Sequence, residues 1–408
     1  MTRHAAAKLF LVGSLAAGFA PRLPAIDPDP SKLAPTREQA TRAQELVAKL
    51  GDPVFRIRDD ATRELRKLGR AALPVLNDTL NTTPDPEVRV RCETLLPAIE
   101  TADLKARLAA FVSDADGKYD HKLPGWGAFR TITGNTADAR TLFADACQSK
   151  DNVEVLQALG SPKEELEKVV LNRRMLLYNQ SVRYSPNGVR TPARTGDVVT
   201  LLFAEATVSI ANRNYSYAIT NLLSQPTVRE AVTAETGEPF RKLLAHWMDS
   251  RTNYLEIYQA MNLAGQLNLK DIPVTKYAEK VLATETSPVI YRMYALTTTA
   301  RVVGADGLPT LAKAMDDKTK YAVNWIVNNQ RTVHEVQVRD IALVMSLLVT
   351  KQKPEDYGVE VKNLTAQNLN DALKFSYMYY AFADDKARDA AFAKWKQYQA
   401  KQPNPAKK

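Results

Sequence analysis

The chain states one short pattern twice. Asp52-Pro53-Val54-Phe55-Arg56-Ile57-Arg58 recurs 33 residues later as Asp85-Pro86-Glu87-Val88-Arg89-Val90-Arg91. In each copy an aspartate and a proline hold the positions that start a helix, and two arginines straddle a β-branched apolar residue. The first copy continues as a helical pattern to Leu68, stops at Gly69 and turns into a second helix around Leu73-Pro74-Val75-Leu76. Helices this short cannot bury an apolar face alone. A chain that repeats them folds by stacking neighbouring pairs.

The unit returns far downstream. Pro53, Gly69, Leu73 and Pro74 map onto Pro288, Gly304, Leu308 and Pro309, each displaced by 235 with no gap. Val338-Arg339-Asp340-Ile341-Ala342 is similar to Ile57-Arg58-Asp59-Asp60-Ala61, and Val228-Arg229-Glu230-Ala231 is a weaker echo. Apolar spacing predicts further helices over 197–211, 226–234, 239–248, 254–267, 273–283, 334–349, 365–382 and 384–399. Thr36 opens an earlier one, with Gln39 completing a capping box and Gly51 ending it.

The Asp-Pro-x-Phe-Arg-Ile-Arg-Asp-x-Ala unit, followed by Gly69 and Leu73-Pro74, resembles a HEAT repeat of the armadillo-like helical superfamily. The chain is further similar to exported bacterial HEAT-like proteins. The islands that carry this are Leu123-Pro124-Gly125-Trp126, Val336-Gln337-Val338-Arg339-Asp340 and Ala391 to Trp395. The resemblance implies an all-α, right-handed α-solenoid of stacked antiparallel helix pairs. It also implies that Arg58, Asp59 and Asp60, and again Arg339 and Asp340, tie adjacent pairs together. The 33-residue period is shorter than the ~40–47 of HEAT arrays, a departure that leaves the repeat subclass open.

Residues 1–25 read as a secretory signal. Arg3, His4 and Lys8 precede an uncharged run from Leu9 to Ala20, too short for a membrane span of roughly 20 residues, with cleavage expected after Ala20 or Ala25. The mature chain is then exported to the periplasm or beyond. Ile26 to Pro35, with three prolines, is a linker. Repeats fill 36–160, a C-terminal helical region fills 161–400, and 401–408 form a disordered tail. Two stretches break the helical rhythm. Tyr178 to Thr195 holds the turn signal Ser185-Pro186-Asn187-Gly188, and Tyr321, Val323, Trp325 and Val327 alternate as in a strand.

Charge excludes some partners. The chain carries +9, but residues 35–120 hold 14 basic and 15 acidic side chains, so the excess is diffuse. That pattern favours solubility over a nucleic-acid footprint. Cys92 and Cys147 are the two cysteines. Both lie in helical patterns, which favours two buried thiols, although a disulfide stays open in an exported chain.

No catalytic constellation emerges. The four histidines, His4, His121, His246 and His334, show no metal-ligand spacing, and no nucleophile elbow or phosphate loop is present. Asp114 to Asp120 resembles an oxygen-rich calcium loop but has Gly125 where the bidentate glutamate belongs. No cofactor is expected. The expected role is a non-catalytic scaffold for a protein partner in the cell envelope, without nucleic acid and without a transmembrane span. The partner-binding candidates are Trp126 and Trp325, both placed in loops, and Arg183, Arg190 and Arg194. The rival readings are an enzyme-associated HEAT-like module of lyase type and a binder of anionic polymers through those arginines.

Overall fold

The structure, a computed structural model, describes residues 26–181, 190–207, 216–251, 253–269, 271–284, 286–327, 330–362 and 374–402. The expected signal, Arg183, the turn at 185–188 and most of the tail lie outside the described residues. The chain is mostly helical and divides into two compact units, Met1–His121 and Lys122–Lys408.

The N-terminal unit contains α1 (Arg37–Ala48), α2 (Phe55–Leu68), α3 (Leu73–Thr82) and α4 (Pro86–Ser113). Thr36 and Gln39 close the capping box before α1, each side chain accepting the other's backbone N–H. Leu46, Leu50, Leu65, Leu76, Cys92 and Leu95 form the shared core. The two copies of the opening pattern start differently. Asp85 is the N-cap of α4 and accepts the Glu87 and Val88 N–H groups, as expected. Asp52 instead accepts the Val54 N–H at 2.8 Å in a preceding turn, and α2 begins only at Phe55.

The corner after α2 depends on Gly69, at φ 59° and ψ −133°, a conformation open to glycine and costly to any residue with a Cβ. A 3-10 turn, Gly69–Ala72, leads into α3 with its proline in the first turn. The second copy has Ala102 at the equivalent position, and α4 runs straight through it.

The C-terminal unit begins with α5 (Trp126–Thr133), α6 (Ala137–Ala146), α7 (Lys150–Ala158), α8 (Lys163–Ser181) and α9 (Thr195–Thr207). From Gly196 to Glu205 every residue of α9 is buried, against α6, α7, α8 and the later α12 (Glu238–Ser250). The helices α10 (Ser216–Leu223) and α11 (Pro226–Thr233) precede α12, and α13 (Tyr254–Gln266), α14 (Val274–Ala283) and α15 (Val289–Val303) follow it. After α15 the corner repeats. Gly304 has φ 67° and ψ −138°, a 3-10 turn spans Gly304–Gly307, and Pro309 sits in the first turn of α16 (Leu308–Ala312). The 235-residue sequence offset is therefore a conformational offset too.

The alternating stretch is a strand. β1 (Lys320–Val327) pairs antiparallel with β2 (Gln330–Gln337), Trp325 lying opposite Thr332. The helix expected from 334 starts later, as α17 (Val338–Val349), because Gln337 and Asp340 form a capping box there. Of the helix expected over 365–382, residues 365–373 lie outside the described residues, and its end is not α-helical: Tyr377–Tyr379 is a 3-10 turn, and β4 (Tyr380–Ala381) pairs with β3 (Glu360–Val361). Its aromatic residues suit a half-buried pleated surface better than a helix. These two short two-stranded sheets are little against the helices, so the chain is mostly helical, as an all-α reading expects. The last helix, α18 (Asp385–Ala400), is capped by Asp384, which accepts the Ala387 N–H.

Tyrosine rings stitch this end together. Tyr254 and Tyr258 of α13 meet Tyr291 and Tyr294 of α15, Tyr294 meets Tyr377, and Tyr377 meets Tyr321 of β1. Burial pushes the Tyr258 phenol up to about 12.

Candidate functional site: a groove between two helices on a buried third

Residues Val338 and Asp340 to Leu347 of α17 are all buried, so it serves as a foundation. Both α16 and α18 pack against it. Between them lie two adjoining cavities of about 370 and 480 Å³. Ala312, Met315, Trp395 and Gln399 line both, which makes them one continuous groove. Volumes of this order, roughly 300–1,000 Å³, are typical of sites that take small ligands or side chains.

The sequence builds the groove by helical spacing. Trp395, Tyr398, Gln399 and Gln402 follow one another at i, i+3, i+4 and i+7 along α18 and the turn after it, so they share a face. The Trp395 and Tyr398 rings stack with centroids 5.3 Å apart. Trp395 is buried, and its indole N–H has no acceptor among the described residues. Arg339, first turn of α17, lines the wider cavity with its guanidinium 5.3 Å from the Phe392 ring centroid. Its Nε donates to Gln337 Oε1 at 2.6 Å. Asp316, Asp389 and Lys396 also line this end. The hydroxyls of Ser346 and Thr350 are spent on helix carbonyls one turn back. The lining holds no histidine or cysteine.

The structure sorts the other candidate residues. Trp325 is not in a loop. It sits in β1, only 6% exposed, with its N–H donating to the Met378 carbonyl at 2.9 Å. The period-2 alternation turns it inward with Val323, while Ile326 points out. Trp126 opens α5 and is half-buried against Phe129, Phe143 and Arg140. Arg194 is drawn into the fold: it donates to the Asp145 carbonyl at 2.9 Å, and Asp145 also receives the Gly196 N–H. Arg190 is exposed.

The residues expected to tie helix pairs together behave unequally. Arg58 bonds the Asp52 carbonyl and lies 3.3 Å from Glu87 of α4, which also accepts from Arg91. Arg91 reaches back to Thr62 of α2, and both guanidiniums flank the exposed Phe55 ring. Asp60 pairs within its own helix with Arg63, and Asp59 is exposed. Asp340 pairs with Arg388 of α18, so it does join two helices, while Arg339 faces the groove instead.

A buried charged cluster escaped the sequence reading. Arg174 of α8, Glu205 of α9, Arg251 after α12 and Glu256 of α13 converge. Glu205 accepts from Arg174 at 3.0 Å and from the Trp247 indole at 3.1 Å. Arg251 lies within 3.8 Å of Glu205 and 3.9 Å of Glu256. Its signal was a lone glutamate at the end of the apolar run Val198 to Ala204. Burial holds the Glu256 carboxyl above its usual range. The calcium-like loop is a turn in which Asp114 accepts the Lys118 and Tyr119 N–H groups and meets His121. Among the described residues no group of three or more metal-ligating side chains converges, and no helix is long and apolar enough to cross a membrane. Comparison of the chain with protein-family models, curated proteins and solved structures finds no match.

Proposed function

We propose that this protein is an exported, non-catalytic scaffold built of HEAT-like helix pairs, and that it binds a protein partner through the groove between α16 and α18. The observation that carries the reading is the groove itself: an aromatic and methionine floor set on a fully packed helix, with charges and amides at its rim. Buried apolar anchors inside a polar rim are the anatomy of protein recognition sites. The matched corners at Gly69 and Gly304 support the helix-pair architecture. The anionic-polymer reading draws less support, because Arg194 is engaged with Asp145.

Filling the groove tests the reading. Ala312 is exposed on its lip, so Ala312→Trp should fold normally and block it. Peptides selected from a displayed library on the wild-type protein should lose binding to this variant. Equal binding to both proteins, or failure to select any peptide, would remove the groove from the function.

A further inference from the structure

We infer that the groove is a receptor for the free C-terminus of a partner polypeptide, with the terminal carboxylate on Arg339 and an apolar terminal side chain on the Met315–Trp395 floor. This rests on the groove being the binding site and specifies what it takes.

The argument starts from an arginine with donors to spare. Arg339 is half-buried, and its side-chain hydrogen bond to Gln337 uses Nε. Neighbouring arginines are neutralised: Arg292 pairs with Asp317 at 3.0 Å and Arg388 with Asp340 at 2.8 Å. Among the described residues no carboxylate lies within ion-pair distance of Arg339. Its outer nitrogens form a planar fork, the geometry that binds a carboxylate through two parallel bonds. Phe392 beneath the guanidinium excludes water from one face, which strengthens a charge-assisted bond there.

The surroundings decide which carboxylate. The apolar floor adjoins the arginine, since Met315 and Trp395 line the same cavity. A ligand matching both must carry its charge and an apolar group close together, as a chain-terminal Leu, Val or Phe does. Asp316 and Asp389 line the same cavity and, only partly offset by Lys396 beside Arg339, oppose a run of acidic side chains, so a single carboxylate is preferred over an acidic tract. Gln399 and Gln402 along the adjoining stretch offer donors and acceptors for a peptide backbone leading away.

Fluorescein-labelled hexapeptide pools ending in Leu, Val or Phe, made as free acids and as C-terminal amides, test this by anisotropy on the full chain. Free acids should bind at least about tenfold more tightly than amides. Arg339→Gln should abolish that difference, and Arg339→Lys should keep part of it. Thermal melts of both variants separate lost folding from lost binding, and Ala312→Trp should abolish binding of either pool. Equal binding of acids and amides, still blocked by Ala312→Trp, overturns the carboxylate assignment and spares the groove. Displacement of the peptides by octanoate at equal concentration would make the ligand a carboxylate lipid and also overturn it. Binding by neither pool removes both readings.

Discussion

Asp340 at the first turn of α17 and Arg388 in the first turn of α18 form a buried ion pair at 2.8 Å across 48 residues of chain. Asp340 also accepts the Gln337 N–H, so one carboxylate caps a helix and clamps its neighbour. Removing one partner leaves the other charge buried and uncompensated, which costs about 3–5 kcal/mol. Arg388→Met should therefore lower stability by about that amount in denaturant unfolding. Arg388→Met with Asp340→Leu should be less destabilised than Arg388→Met alone, because the orphaned charge is gone, although the cap is lost. A double variant worse than the single would contradict this account.

Gly69 and Gly304 should respond alike to alanine. Neither has an atom within 4 Å of where a Cβ would stand, so packing contributes nothing and the backbone strain stands alone. That strain costs about 1–3 kcal/mol per site. Matching losses in unfolding free energy for Gly69→Ala and Gly304→Ala would confirm that the two corners are equivalent. A neutral effect at one would separate them.

Glu256 makes stability depend on pH in a definite direction. Burial raises its carboxyl above the ordinary value near 4.5, with Arg251 opposing and Glu205 adding to the shift. A raised folded-state value means the stabilising contribution is complete below the unfolded value and is lost as pH rises through the folded one. Wild type and Glu256→Gln should therefore be similar near pH 4. The glutamine variant should gain relative stability as pH rises, then level off. A gap that moves the other way in pH-dependent melts would refute the assignment.

Cys92 and Cys147 are buried thiols, and burial pushes the Cys92 thiol above its usual value. Thiolate attack needs both ionisation and access. Native protein should react with an aromatic disulfide reagent only at the rate of opening, and denatured protein at once. Rapid native labelling at both sites would show that these cores open readily.

Much of the helical framework was legible because its signals are local. The Thr36–Gln39 box, the Asp85-Pro86 start and the two glycine corners each act within a few residues. The failures have a shared cause. Whether Asp52 caps a helix depends on where the next hydrogen bonds go, and the shared Asp-Pro start behaves differently in the two copies. Trp325 lies in a legible alternation, but which side faces inward is set by packing that includes Met378, 53 residues away. The groove needed α16, α17 and α18 together, so no window of sequence contains it, although the Trp395 to Gln402 spacing marks one wall. The Glu205 cluster likewise draws one residue from each of four helices or their ends.

The uninterrupted course of α4 does not follow from its opening motif. Its 28 residues extend about 42 Å without a break, where the earlier copy of the pattern folds back on itself. Past the shared motif the two copies differ at every position from 59/92 to 76/109, Gly69 against Ala102 and Pro74 against Arg107 among them. One start motif thus opens both a folded-back helix pair and a single rod, the outcome being written in the residues that follow it.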